Sequence, residues 1–322
     1  MNKNKVKNML LDHIIEILLV VLIVGMTFAS PTFLTLSNIL NILRSSALKG
    51  VIAFGMTMVI ISGQIDLSVG SQVALAGVIV ARCCRDMTSI GSTAACIIGI
   101  IIAIVVAILV GGLHSVAQNK FGMPAFIITL ASQNLLYGLA GMICEGFPIA
   151  NVFPDWFLWL GTGKIGGLIP VPAVILLIVF AISFFLMTYT TTGRSVYATG
   201  GNAEAARLSG INVGRTKFIV FAAVQVMCVL AAFMNSAQVA SGSYSFGKGW
   251  EVDVISATVI GGASMDGGIG KPWGTLIGIL FLGVINNGMT ILNVGTYMQY
   301  VVRALIMAFA VLVSTYQAKA KA

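Results

Sequence analysis

The chain has 322 residues, of which 58% are apolar and only 9% charged, against about 25% charged in an average soluble domain. A soluble fold is excluded, because runs of about 20 apolar residues answer to the ~30 Å hydrocarbon core of a bilayer, and the chain holds enough for roughly nine or ten. The formal charge of +8 therefore raises the question of which membrane face carries the basic residues, and no nucleic-acid partner is expected.

Lys3, Lys5 and Lys7 precede an apolar run over Ile14–Ala29. Asp12 and Glu16 stand where a cleaved signal sequence is free of acids, so the run reads as a retained first span. Further apolar segments fall at about 47–62, 66–81, 92–113, 124–143, 166–187, 216–239, 252–264, 272–290 and 296–316, which gives ten spans. The segments at 47–62 and 252–264 are short and adjoin Gly-rich breaks, the pattern of discontinuous helices. Residues 144–165 carry Phe147, Phe153, Trp156, Phe157 and Trp159, as an extracytoplasmic interfacial segment would. Residues 188–217 form a polar loop. With the N-terminus inside, the inner loops hold eleven Lys and Arg and the outer loops six, with Arg303 inside the last span. That excess predicts cytoplasmic N- and C-termini. Small residues recur every four positions from Gly91 through Ala95, Gly99, Ala103 and Ala107 to Gly111, and again at Gly270, Gly274 and Gly278, as close helix packing in lipid requires.

An enzyme is poorly supported. His13 and His114 fall near predicted membrane ends and read as interfacial polar residues. The five cysteines show no C-x-x-C spacing and read as small hydrophobes. The stretch from Gly242 to Gly249 nearly matches a phosphate-binding loop, but Gly249 replaces the magnesium-binding Ser or Thr and a membrane helix precedes it. No metal or cofactor is expected in this chain.

The polar loop contains Gly200-Gly201-Asn202-Ala203-Glu204-Ala205-Ala206-Arg207-Leu208-Ser209-Gly210-Ile211. Asn202 is suited to cap a helix, Glu204 and Arg207 complement its two dipole ends, and Gly210 can close it. Two turns are too short to stand alone. The piece is either an ordinary surface helix or one held by a partner through Leu208 and Ile211.

This string, from Gly200 to Val213, resembles the coupling loop of the ribose-type branch of bacterial ABC sugar-importer permeases. So do Ile65-Asp66-Leu67-Ser68-Val69-Gly70-Ser71, Ile260-Gly261-Gly262-Ala263-Ser264 with Gly267-Gly268-Ile269-Gly270, and Gly274-Thr275-Leu276-Ile277-Gly278 running to Asn286-Asn287-Gly288. The likeness covers about residues 31–313; Gln64 departs from it, where the family usually has Gly. The resemblance implies a single permease domain over 1–322 with ten transmembrane helices, spans 2–5 and 7–10 being inverted halves. It implies a bacterial inner-membrane location and a second permease subunit, identical or similar. A cytoplasmic ATPase would bind ATP and magnesium, and an extracytoplasmic binding protein would deliver a monosaccharide. The family's coupling helix maps onto residues 202–211, so Asn202, Glu204, Ala205, Ala206, Arg207, Leu208, Gly210 and Ile211 are the expected ATPase contacts. Ribose is the nearest substrate, with allose, xylose, galactose-type sugars and a sugar-like signalling molecule open.

Within the spans, Asp66 is either an N-cap acid of the third span or a hinge or gate. Arg303 either snorkels to the outer interface, pairs with Asp253 or Glu251, or meets substrate hydroxyls. Thr129, Gln133 and Tyr137 share a face at four-residue spacing, with Asn134 beside it. These, with Asn286, Asn287, Gln225, Asn235 and Gln238, either line a path for a neutral sugar or satisfy broken-helix backbone groups. A self-sufficient ion-coupled carrier is the alternative, and a passive channel a third reading. Both leave the capped loop unused, and nearly all charges are expected at helix ends and joints.

Overall fold

The computed structural model describes residues 14–321; the basic N-terminal residues, Asp12 and His13 lie outside them. The chain is all-helical apart from two-residue strands. In order it forms α1 Ile14–Ala29, α2 Leu36–Ile61, α3 Val69–Asp86, α4 Ser92–Phe121, α5 Ala125–Ile143, α6 Asp155–Thr162, α7 Val171–Tyr189, α8 Thr191–Gly201, α9 Ala203–Leu208, α10 Val213–Val239, α11 Trp250–Ile260, α12 Pro272–Ile291 and α13 Thr296–Lys321. β1 (Ile149–Ala150) pairs with β4 (Ser241–Gly242), and β2 (Lys164–Ile165) with β3 (Ile169–Pro170), both antiparallel. Six of the described helices, α2, α4, α5, α7, α10 and α12, are long and apolar enough to cross a membrane.

The centre of the molecule is α2 and α10. α10 packs against α2, α3, α4 and α6, while α2 also meets α7, α11 and α12. The small-residue row of α4 explains part of this closeness, since Ala95, Gly99, Ala103, Ala107 and Gly111 are all buried. In lipid, where apolar side chains gain nothing by leaving the bilayer, such rows let backbones come together and gain dispersion contacts. The second row acts likewise, with Gly274 and Gly278 of α12 lying against Gly261 and Ala257 at the end of α11.

Several segment boundaries differ from expectation, α4 running on to Phe121 and α7 starting only at Val171. The second span is not a short helix beginning near 47 but a 26-residue helix beginning at Leu36, with Thr35 Oγ1 accepting from Asn38 N at its N-terminus. The polar residues that depress hydropathy there are satisfied by tertiary partners: Arg44 donates twice to the Gly161 carbonyl, and Asn38 exchanges two amide hydrogen bonds with Asn287. The third helix starts at Val69 rather than at Asp66. The short α11 and the short helix after Asn202 fall where the sequence places them, and α6 lies within residues 144–165.

Candidate functional site

Two interrupted joints organise the interior. The first follows α2, where Gly63 N donates to Ile60 O and Gln64 N to Val59 O, and the chain then runs without helix to Ser68. The second follows α10, where Ala240 takes a left-handed conformation and Ser241–Gly242 joins β1, so that helix resumes only at Trp250. The joints meet at two glycines. A Cβ on Gly70 would lie 2.2 Å from the Gly247 carbonyl oxygen, and one on Gly247 2.2 Å from that of Gly70. No side chain fits between those backbones. Gly70→Ala is therefore expected to force the first turn of α3 away from the second joint, at about 1–3 kcal/mol of overpacking cost. Thermal unfolding of the detergent-solubilised variant measures it, and an unchanged transition would show that the joints separate freely.

Asp66 lies in the first joint and is fully buried. Its Oδ1 accepts from Ser68 N at 2.8 Å and Ser68 Oγ at 2.6 Å, and its Oδ2 accepts from Gln225 Nε2 of α10 at 2.8 Å. Gln225 Nε2 also reaches Ser68 Oγ. His114 Nδ1 of α4 stands 3.5 Å from Asp66 Oδ2, long for a hydrogen bond but within ion-pair range, and His114 Nε2 lies 2.9 Å from Ser132 Oγ of α5. This network ties the first joint to α4, α5 and α10. His114 is therefore not the interfacial residue expected from sequence; it is wholly buried, edge-on to Phe221. A histidine within an apolar helix is the signal that could have found it, because a titratable group at such a position is costly unless partnered.

Around the second joint, Gln133 Nε2 of α5 donates to Glu251 Oε1 at 3.0 Å. Tyr137 points its ring to the Lys248 ammonium, 5.9 Å from the ring centroid. Thr129, on the same face, bonds to Ala125 O and reaches Ile65 O. The face shared by Thr129, Gln133 and Tyr137 thus turns toward the two joints, while Asn134 is exposed and donates to Leu130 O.

A third cluster joins α2, α11, α12 and α13. Lys49 Nζ donates to Asp253 Oδ2, Arg303 Nη1 lies 3.8 Å from the same oxygen, and Arg303 Nε donates to Asn286 Oδ1 at 3.0 Å. These residues, with Ser45 and Ser46, line a cavity of about 120 Å³. Of the readings of Arg303, pairing with Asp253 is the one seen. Lys49, assigned to an outer loop from sequence, lies inside α2, and its partner is 204 residues away. Asp66 in the first joint and Asp253 in the first turn of α11 keep to joints and helix ends, as expected, whereas Lys49 is a charge in the middle of a helix. Asn287 faces Asn38 rather than the cavity.

The polar loop is built as its residues dictate. Asn202 Oδ1 accepts from Ala205 N at 2.9 Å, Gly210 closes α9 at φ 84°, and Ile211 N donates back to Ala206 O. Glu204 and Arg207 pair with each other on the exposed side, and Arg207 hydrogen bonding holds the Glu204 carboxyl below its usual range, so that it stays anionic at neutral pH. Leu208 is 75% exposed and Ala206 buried. The preceding helix α8 rests on the first joint and on the loop between α11 and α12: Tyr197 Oη donates to Gly270 O at 2.8 Å, and Gly268 N donates to Ile61 O at 2.8 Å beside Gly200. A Cβ at Gly200 would sit 1.7 Å from Ile61 O, so backbone meets backbone here too.

The fold is that of an all-helical membrane protein with interrupted helices and a capped, exposed short helix beside the first interruption. The family of the permease component of branched-chain amino acid transport systems matches residues 38–311, and the chain belongs to that family. It is 39% identical over 98% of both chains to the ribose import permease protein RbsC of Haemophilus influenzae, and 38% identical to that of Escherichia coli over 92% of this chain and 91% of the other. It is also 36% identical to the L-arabinose transport system permease protein AraH of Escherichia coli, over 94% of this chain and 89% of the other. No solved structure matches it. Permeases of this family are multi-pass proteins of the inner membrane, and this chain is a transport component rather than an enzyme.

Proposed function

We propose that the chain is the membrane subunit of an ATP-driven, binding-protein-dependent importer of a ribose-like monosaccharide. The substrate class follows the ribose and arabinose permeases it resembles across nearly its whole length. The observation that carries the mechanism is α9, exposed at Glu204, Arg207 and Leu208 and braced through α8 on Ile61 and Gly268. A separate ATPase, holding ATP and magnesium, grips this helix. Its closure shifts α8 against the first joint and the α11–α12 loop and rocks the helices between inward-open and outward-open states, with no chemistry in this chain.

In this reading the single permease domain has ten spans, α1 to α5, α7 and α10 to α13, with spans 2–5 and 7–10 as inverted halves. The joints after α2 and α10 are the corresponding breaks of the two halves. Residues 188–217 lie inside with both termini, and residues 144–165 outside, where a sugar-binding protein docks. With Arg44 and Lys49 in α2, the outer loops keep four basic residues against eleven inside, which supports that orientation. The sugar passes beside Asp66, the α5 face of Thr129, Gln133 and Tyr137, and the Asp253–Arg303–Asn286 cavity. A second permease subunit is supported by α5, the least buried of the six apolar helices yet nearly the least apolar of them. Lipid does not suit such a surface, and another protein surface against Asn134 and Gly138 does.

Uptake of labelled ribose into vesicles tests the proposal. Import is expected only when the ATPase, ATP and binding protein are present. Uptake by this chain alone under a proton or sodium gradient would overturn it and would turn attention to the buried Asp66–His114 pair as a coupling site.

A further inference from the structure

A second cavity lies away from the joints, between the first turns of α2 and the β2–β3 hairpin. Its volume is about 550 Å³, within the ~300–1,000 Å³ range of small-ligand sites. Arg44 and Lys164 supply two cations, Ser37 and Asn41 supply polar groups, and Leu36 and Leu168 form apolar walls; among the described residues no acid lines it. Arg44 gives Nε and Nη2 to the Gly161 carbonyl, and its guanidinium has further N–H donors. The N-terminus of the 26-residue α2 opens onto the same space, adding positive potential.

The surroundings fix the depth of this groove. Trp156 and Trp159 of α6, next to the hairpin, are 39% and 49% exposed, and exposed indoles mark the headgroup level of a bilayer. Leu36 and Leu168 are themselves exposed, so the walls continue onto the lipid-facing surface. A groove with two cations and no acid at headgroup depth, and with apolar sides running into the acyl region, is complementary to a molecule that is anionic at one end and hydrocarbon at the other.

We propose that this groove binds an anionic phospholipid of the surrounding bilayer, its phosphodiester held by Arg44 and Lys164 and its acyl chains lying along Leu36 and Leu168. The site pins the Lys164–Pro170 hairpin to the start of α2. It is independent of which sugar is carried and of how the ATPase is coupled.

Native mass spectrometry of the full chain, delipidated in detergent and mixed with phosphatidylglycerol or phosphatidylcholine, tests the assignment. Phosphatidylglycerol is expected to be retained preferentially. Lys164→Gln, at an exposed position that leaves Arg44 on Gly161, is expected to lower its occupancy about five-fold, the worth of one basic residue at an anionic surface, without changing retention of phosphatidylcholine. Equal retention of the two lipids, or an unchanged Lys164→Gln variant, would overturn the proposal. Displacement by inorganic phosphate would instead assign the groove to a soluble anion. Self-cross-linking of Lys164→Cys in membranes would assign it to a second copy of the chain.

Discussion

Glu204→Arg is expected to abolish import and ATPase association while the chain still inserts and folds normally. Glu204 and Arg207 are each about two-thirds exposed and bond to each other, and exposed pairs of this kind add little to stability. The substitution leaves the Asn202 cap, the closing turn at Gly210 and the buried Ala206 in place. It replaces the one acid of α9 by a base beside Arg207, so the contact face changes from a neutral pair to two cations. A partner surface shaped for the pair then meets repulsion and an unpaired charge, which is how interfaces reject wrong partners. Co-purification of the ATPase and ATP-dependent uptake are the two measurements, with thermal unfolding as the control. Retained association and uptake would show that the contact helix lies elsewhere.

Asp66→Ala is expected to destabilise the fold strongly, and Asp66→Asn less. The carboxylate takes Ser68 N, Ser68 Oγ and Gln225 Nε2, with His114 at 3.5 Å, all in a fully buried setting. Deleting it leaves those groups without an acceptor, and removal of one member of such a buried cluster costs about 3–5 kcal/mol, each orphaned polar group contributing about 1–3 kcal/mol. Asn keeps an acceptor for Ser68, and rotation of the Gln225 amide, whose Oε1 is buried without a hydrogen-bond partner, would let that oxygen accept from the new amide. The double variant Asp66→Ala with Gln225→Met should cost less than the sum of the single changes, because the orphaned amide is then gone. Thermal unfolding and uptake, measured together, separate two roles. Parallel loss identifies Asp66 as the anchor of the first joint. Lost uptake with stability within about 1 kcal/mol of the parent, the range of an unremarkable substitution, would identify a gate instead.

The local features were legible in the sequence because their physics is local. The cap of α9 depends on Asn202 and a residue three positions on, and the turn after it on Gly210. The two interruptions, at Ser62-Gly63 and after Gln238, were visible as breaks in apolar runs. Of the clusters, only the Arg303–Asp253 pairing was among the readings of the sequence; the rest were not legible. His114 and Asp66 are 48 residues apart in sequence and Lys49 and Asp253 204, and no spacing rule joins such positions. Even the length of α2 was hidden, since Arg44 and Lys49 read as loop residues until Gly161 and Asp253 are seen beside them.

By itself the sequence determined the solvent and the class: too few charges for water, enough apolar runs for a bilayer, and a capped short helix of the kind an external motor could grip. Tertiary structure alone decided which side chains face inward. In water an apolar stripe identifies the buried face of a helix, but in lipid both faces are apolar, so periodicity does not tell the core from the surface. Only the packed arrangement could place Asp66 among Ser68, Gln225 and His114, bring Gly70 against Gly247, and set Gly200 on Ile61.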